Sequence, residues 1–266
     1  MRYLIFTLFF TLFSFNLIAV LATDSLLIEL KNTPENKEKT LLLNELSKTL
    51  LESDIDSSLI YAKRGLDLAT EIGYTLGVAE NAASLARYYV IYDSLAMAME
   101  YYMQASKHFE DLEMQFDAAQ MLMVIGNIYL SQSNYSEALM YYQKSQKKCE
   151  ENDLESILPH IYNNTGLIYS ELGEQEKALD QYLKAYNRFK TTDQKYNIPH
   201  TVSNIAAIHM ENSEDSLALS YYNEALRLFK ETNNPVDASL VYIELGNYEF
   251  NNGNYAKALH YFEDCY

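Results

Sequence analysis

The sequence predicts an all-α fold, a solenoid of six antiparallel helix hairpins, and three observations predict it. Only 8 Gly and 4 Pro occur in 266 residues, whereas a sandwich or barrel spends such residues on many turns. Small and aromatic residues return at a period of 40 over most of the chain, and a fixed period of that size marks a stack of like units. Within each unit the recurring positions lie at offsets 0, 4 and 7, which share one face of a helix.

Composition narrows the function classes. Hydrophobic residues are 48% and charged residues 21%, enough apolar side chains for a packed core. Lys+Arg number 20 against Asp+Glu 37, a formal charge of −17. A carboxylate surplus repels phosphate, which argues against nucleic acid or anionic lipid as a partner of this segment. Two cysteines, Cys149 and Cys265, are too few for a disulfide scaffold.

Residues 1–22 come first. Arg2 precedes an uncharged run from Tyr3 to Ala22, and Val20 and Ala22 place small residues just before Thr23. This is the layout of a secretory signal peptide; a run of this length also suffices for an uncleaved signal anchor. No Cys follows it, so the thiol of a lipoprotein anchor is missing. Cleavage removes Arg2 and takes the formal charge from −17 to −18. The segment predicts export, to the periplasm or the extracytoplasmic face of a membrane. Residues 23–36 read as a leader, a short apolar patch and then a polar, Pro-containing stretch.

Residues 37–266 then hold six units, at about 37–76, 77–116, 117–156, 157–196, 197–236 and 237–266. The second helix of each opens its pattern on Ser58, Ala98, Ala138, Ala178, Ala218 or Ala258. Four residues later come Ala62, Tyr102, Tyr142, Tyr182, Tyr222 and Phe262, and seven later Gly65, Ala105, Ser145, Ala185, Ala225 and Cys265. The small residues let a neighbouring backbone approach, and the ring between them fills the adjoining gap. Twelve residues upstream the first helix carries its own set, Leu46, Ala86, Gly126, Gly166, Ala206 and Gly246. Three further on follow Thr49, Tyr89, Tyr129, Tyr169, His209 and Glu249. Short breakers such as Gln132-Ser133-Asn134 and Leu172-Gly173-Glu174 separate the two helices. The sixth unit stops eight residues after Ala258; either its last helix frays or the sequence is a fragment.

The run Gly166, Tyr169, Gly173, Ala178, Leu179, Tyr182, Ala185 resembles the tetratricopeptide repeat, whose unit is about 34 residues. The resemblance covers about residues 37 to 266, strongest in the third, fourth and sixth units and weakest in the first. The family's Trp and its unit-ending Pro are absent; Leu122, Tyr162, Val202 and Tyr242 occupy the Trp column. The resemblance implies a right-handed superhelix whose concave groove is lined by the first helices. The 40-residue period implies six extra residues per unit, most simply in a longer second helix and linker. That long variant is similar to arrays in bacterial signalling and sensor proteins.

Catalytic constellations do not emerge, so the chain is not expected to be an enzyme. No two of the five His are closer than nine residues, against the i, i+3 or i+4 pairs of a metal site. His160 and His200 share a repeat column and read as exposed first-turn histidines that can face one groove. Cys149 and Cys265 read as buried, inert thiols. Nucleotide, nucleophile-elbow and zinc motifs are missing, and no cofactor or metal is expected. One Tyr of each pair Tyr101-Tyr102, Tyr141-Tyr142 and Tyr221-Tyr222 is core by its column; its neighbour is placed to seal the joint with the next unit.

What can bind is the inner face of the first helices. A stripe of Asn127, Asn163, Asn164, Asn204 and Asn247, with His160 and His200 beside it, lies outside the packing columns. Arg87 is the one cation in such columns, so a clamp for a peptide carboxylate is not expected. Asn offers both donor and acceptor and can bracket an extended peptide backbone. The expected function is therefore a non-enzymatic, exported module that holds a protein or peptide. The alternative is the extracytoplasmic input region of a membrane signalling protein, such as a histidine kinase or DNA-binding regulator, with its output domain beyond Tyr266. Membrane contact is expected only through the N-terminal segment, if uncleaved, or through a span beyond Tyr266.

Overall fold

A computed structural model describes residues 23–192 and 194–265; the signal segment expected at residues 1–22 lies outside the described residues. Among the described residues every regular element is helical and none is a strand. Residues 23–32 form α1, and then come α2 (Lys37–Leu50), α3 (Ile55–Glu71), α4 (Thr75–Ile91), α5 (Leu95–Asp111) and α6 (Gln115–Ser131). They are followed by α7 (Tyr135–Glu151), α8 (Leu158–Glu171), α9 (Gln175–Thr191), a 3-10 turn (Lys195–Asn197), α10 (Ile198–Glu211), α11 (Asp215–Glu231), α12 (Pro235–Asn251) and α13 (Tyr255–Glu263). Even-numbered helices from α2 are the first of each hairpin and odd-numbered ones from α3 the second. The chain divides into two compact units, one running to Ile128 and the other starting at Tyr129.

The period is split evenly. Helices α3 to α7 bar none are 17 residues long, as are α9, α11 and α12, and most connections take three residues. Two helices and two connections, 17+3+17+3, make 40. The extra length expected in the second helix and linker is instead shared by both helices. The same turn ends α3 to α8 and α10 to α12. At α4 the Asp93 N–H donates to Val90 O (3.1 Å) and the Ser94 N–H to Tyr89 O (2.8 Å), the Schellman pattern that satisfies the last carbonyls of a helix. The residue between must take a left-handed backbone. Gly73, Gly173 and Gly253 supply it without a Cβ, but Asp93, Glu113, Ser133, Asp153, Ser213 and Asn233 adopt φ of 52 to 61° as well.

In the first unit the expected leader is a helix. Leu26, Leu27 and Leu30 of α1 pack on Leu43, Leu46, Leu50 and Leu68 of the first hairpin, so α1 covers an apolar face that would otherwise meet water. Tyr89 of α4 stacks flat on Tyr101 of α5, 5.6 Å between centroids. A polar ladder threads the interior: Asn44 Nδ2 donates to Glu80 Oε2 (2.8 Å) and Ser84 Oγ to Asn44 Oδ1 (2.7 Å).

In the second unit the recurring rings are core. Tyr142, Tyr182, Tyr222, Phe189 and Phe229 are all buried, each worth on the order of 1.5–3 kcal/mol in removed apolar surface. The Tyr that precedes the core ring in each of these pairs has another partner than expected. Tyr141 stacks on Tyr129 (5.5 Å) and Tyr221 on His209 (5.3 Å), each closing its own hairpin rather than a joint with the next. The reason is spacing: twelve residues around a tight turn bring the two rings face to face.

Candidate functional site

Helices α8 and α10 start differently from the rest. Each is 14 residues long, each has Pro at its first turn, and each begins three residues later than an even division of the period places it. Pro fixes φ and needs no partner for the N–H it lacks, so it suits a helix start. Pro159 and Pro199 thereby set His160 and His200 in the first turn of their helices.

Both imidazoles are half-buried rather than exposed, and both are held in the same way. The His160 ring stands edge-on to Phe189 at 5.1 Å, and His200 edge-on to Phe229 at 5.0 Å. His160 Nε2 lies 2.8 Å from Gln194 Oε1, while the Gln194 amide N–H donates to Ser156 O (3.0 Å). His200 Nε2 lies 3.3 Å from Asp237 Oδ2. Burial pushes the His160 imidazole below its ordinary value, and the Gln194 contact opposes this. His160 is thus a neutral ring with its proton on Nε2, since an amide oxygen only accepts.

The amides of α8 and α10 form a chain. Asn163 Oδ1 accepts from Thr201 Oγ1 (3.1 Å) and Asn204 Nδ2 (3.4 Å), and Asn163 Nδ2 donates to Asn164 Oδ1 (3.4 Å). Asn164 in turn hydrogen-bonds the Tyr142 hydroxyl, while burial drives the Tyr142 phenol well above its ordinary value. Asn163 and Asn164 therefore help to hold neighbouring hairpins together, a packing duty that the repeat columns do not reveal.

These residues line one cavity of about 360 Å³, whose wall is His160, Asn163, Asn164, Phe189, Asn197, His200, Thr201 and Asn204. Five of the seven residues picked from the sequence, His160, Asn163, Asn164, His200 and Asn204, converge there. Asn247 is exposed on α12 and does not line it. Asn127 lies half-buried on α6 in the first unit. Sequence reading missed Thr201, Asn197, Phe189 and the tethering Gln194. The first two stand one helical turn from Asn204 and His200, so an i−3 search from either would find them. It also missed Asn44 and Ser84, which share the repeat column of Asn164 and Asn204 in steps of 40.

No wall residue of the cavity carries a formal charge, and none is a Cys or a carboxylate. Among the described residues no cluster of three His, Cys, Asp or Glu is placed to hold a metal. Among them, too, no helix is long and apolar enough to cross a membrane. The arrangement can hydrogen-bond and stack against a ligand.

Residues 117–191 match the tetratricopeptide repeat family. No curated protein matches the chain. Among solved structures it is similar to a signal transduction ATPase with a tetratricopeptide repeat sensor from Pyrococcus horikoshii, at 19% identity and a TM-score of 0.76, over 92% of this chain and 41% of that one. It is similar to the apo form of RapI at 14% identity and a TM-score of 0.70, over 85% and 96% of the two chains. A Rap protein complexed with competence and sporulation factor matches at 18% identity and a TM-score of 0.66, over 91% and 68%. At such identities the likeness is one of fold. Residues 117–191 thus match the tetratricopeptide repeat family, and the helical hairpins of the chain share its fold.

Proposed function

We propose that the protein is an exported, non-enzymatic interaction module that holds an extended peptide or protein segment at the α8–α10 face of its second unit. The observation that carries this reading is the convergence of His160, Asn163, Asn164, His200 and Asn204 on one uncharged, ring-backed cavity. Amide and imidazole groups match the alternating donors and acceptors of a peptide backbone, and Phe189 gives an apolar floor. The similar Rap protein complexed with competence and sporulation factor supports the same use of the fold. Export rests on the layout of residues 1–22.

Panning a random-sequence peptide display library against the protein tests the reading. Selected peptides should lose binding to the variant Asn197→Ala/Asn204→Ala, whose helicity and unfolding midpoint stay near those of the parent. Peptides that bind both proteins equally, or no enrichment at all, would overturn it. Export is tested by fusing residues 1–30 to a periplasmic reporter; an inactive fusion with a soluble, full-mass cytoplasmic product removes that part. The likeness to an ATPase that carries a repeat sensor favours a second reading, an extracytoplasmic input region. It requires a membrane span and an output domain encoded beyond Tyr266, and a stop codon there would exclude it.

A further inference from the structure

The charges of the second unit are sorted by helix. Its first helices α8, α10 and α12 carry Glu171, Glu211, Asp237, Glu244 and Glu249 and not one Lys or Arg. Its second helices α7, α9, α11 and α13 carry ten Lys and Arg, from Lys144 to Lys257. The remaining cation, Lys195, is exposed in the 3-10 turn before α10. Packing does not demand this sorting, since the buried side chains of both kinds of helix are mostly small, aliphatic or aromatic. The first helices that supply most of the cavity wall therefore bear carboxylates and no Lys or Arg, whereas Phe189 comes from α9 between Arg188 and Lys190.

The cavity itself offers acceptors. With the Gln194 amide N–H committed to Ser156 O, its oxygen meets His160 Nε2, and the proton there leaves His160 Nδ1 as a bare lone pair. His200 Nε2 lies against Asp237 Oδ2 (3.3 Å), which brings a carboxylate to the edge of the cavity. Asn204 spends one amide hydrogen on Asn163 and has its Oδ1 to offer. A formal charge of −17 draws positive ligands toward such a face and repels negative ones.

We propose that the segment held at the α8–α10 cavity is a cationic peptide, its Lys or Arg side chains donating to His160 Nδ1 and Asn204 Oδ1. The inference rests on the peptide-binding reading above and names the ligand's chemistry. Lys brings three donors and Arg five, and neither accepts, which complements this wall better than a carboxylate can.

Titration calorimetry with matched peptides of alternating Lys and Ala, Ser and Ala, or Glu and Ala tests it. The Lys peptide should bind at least about tenfold tighter than the Ser peptide, weaken with added salt, and leave the Glu peptide without measurable binding. Asn204→Lys should weaken the Lys peptide about tenfold and Asn204→Asp should not, with helicity unchanged in both. A Lys peptide indifferent to Asn204→Lys binds the acidic surface at large, and the proposal falls. Panning that yields site-dependent but uncharged or acidic peptides overturns the cationic ligand while the peptide-binding reading stands. Panning that yields no site-dependent peptide overturns both.

Discussion

Gly65→Ala tests the packing logic at one atom. Gly65 sits on α3 opposite Asn81 of α4. A Cβ built on it falls 2.0 Å from Asn81 Oδ1 and 2.5 Å from its Cγ. Asn81 is wholly buried, and its Nδ2 donates to Gly77 O (2.8 Å) and Thr40 O (3.3 Å). Its Oδ1 has no N–H or O–H partner. A Cβ built so close means that a Gly65 α-hydrogen points at this oxygen, a weak C–H···O contact that only glycine allows here. Alanine cannot coexist with that oxygen, so Asn81 must move. Leaving its buried amide unpaired costs about 1–3 kcal/mol, and pressing the side chain into a filled core costs about 1–3 kcal/mol more. Replacing a mid-helix glycine returns about 1 kcal/mol. The net loss is about 1–5 kcal/mol.

The repeat supplies the control. At the same two columns the later hairpins pair Ala105 with Met121, Ala185 with Thr201 and Ala225 with Val241; Gly appears where Asn faces it. Gly65→Ala/Asn81→Val recreates the Ala225–Val241 pair, both buried in one cluster. It should recover most of the loss, a coupling of about 2–3 kcal/mol between neighbours. The chain has no Trp, so urea unfolding is followed by far-UV circular dichroism, with amide exchange to place the effect in the first unit. A Gly65→Ala protein as stable as its parent, or a double variant no better than the single, would refute the reasoning.

Three further outcomes are expected. Glu113 holds φ of 58° at a helix end, so Glu113→Gly should stabilise by about 0.5–1 kcal/mol; a lower unfolding midpoint would show that its side chain matters more than its backbone. Cys149 is wholly buried and burial pushes its thiol up to about 11, so the folded protein at pH 8 should resist a thiol reagent that labels it on unfolding, and rapid labelling would contradict the packing. His160 titrates below its ordinary value; the unfolded chain then takes up its proton first as pH falls. Its share of stability is full above about pH 6.5 and is lost below it. His160→Gln should flatten that decline between pH 7.5 and 5, and an unchanged slope would mean that the ring is protonated in the fold.

The hairpins were legible because packing leaves a strong trace: a column such as Ala98, Ala138, Ala178, Ala218 tolerates little besides a small residue when a helix backbone lies against it. The even division of the period was not. Its turns rely on residues such as Asp93 and Glu113 in a left-handed conformation, and those carry no breaker signal in a sequence. The site was half legible. Shared columns pointed to His160 and His200 and to Asn164 and Asn204. The links from Asn163 to Thr201 and Asn204 join positions 38 and 41 apart, and no local pattern announces a bond of that span. Gln194 stayed hidden for the same reason, 34 residues from the imidazole that it fixes.

A strict repeat also overstates the extent of a site. Forty residues on from His200, Ser203 and Asn204 stand Leu240, Ile243 and Glu244, and Leu240 is 62% exposed. The columns that carry amide and imidazole groups on α8 and α10 thus turn apolar and acidic on α12. Asn247 keeps the residue type of the stripe but not its company: no amide partner faces it, and it stays outside the cavity. What defines the site is therefore not the column but the coincidence of three features found together on α8 and α10. These are a Pro-set helix start, a histidine braced on a Phe of the following helix, and an amide chain that crosses from one first helix to the next. Each is a departure from the plain repeat. The small and aromatic packing columns account for none of them, and that is the physical ground for proposing recognition there rather than along the whole face.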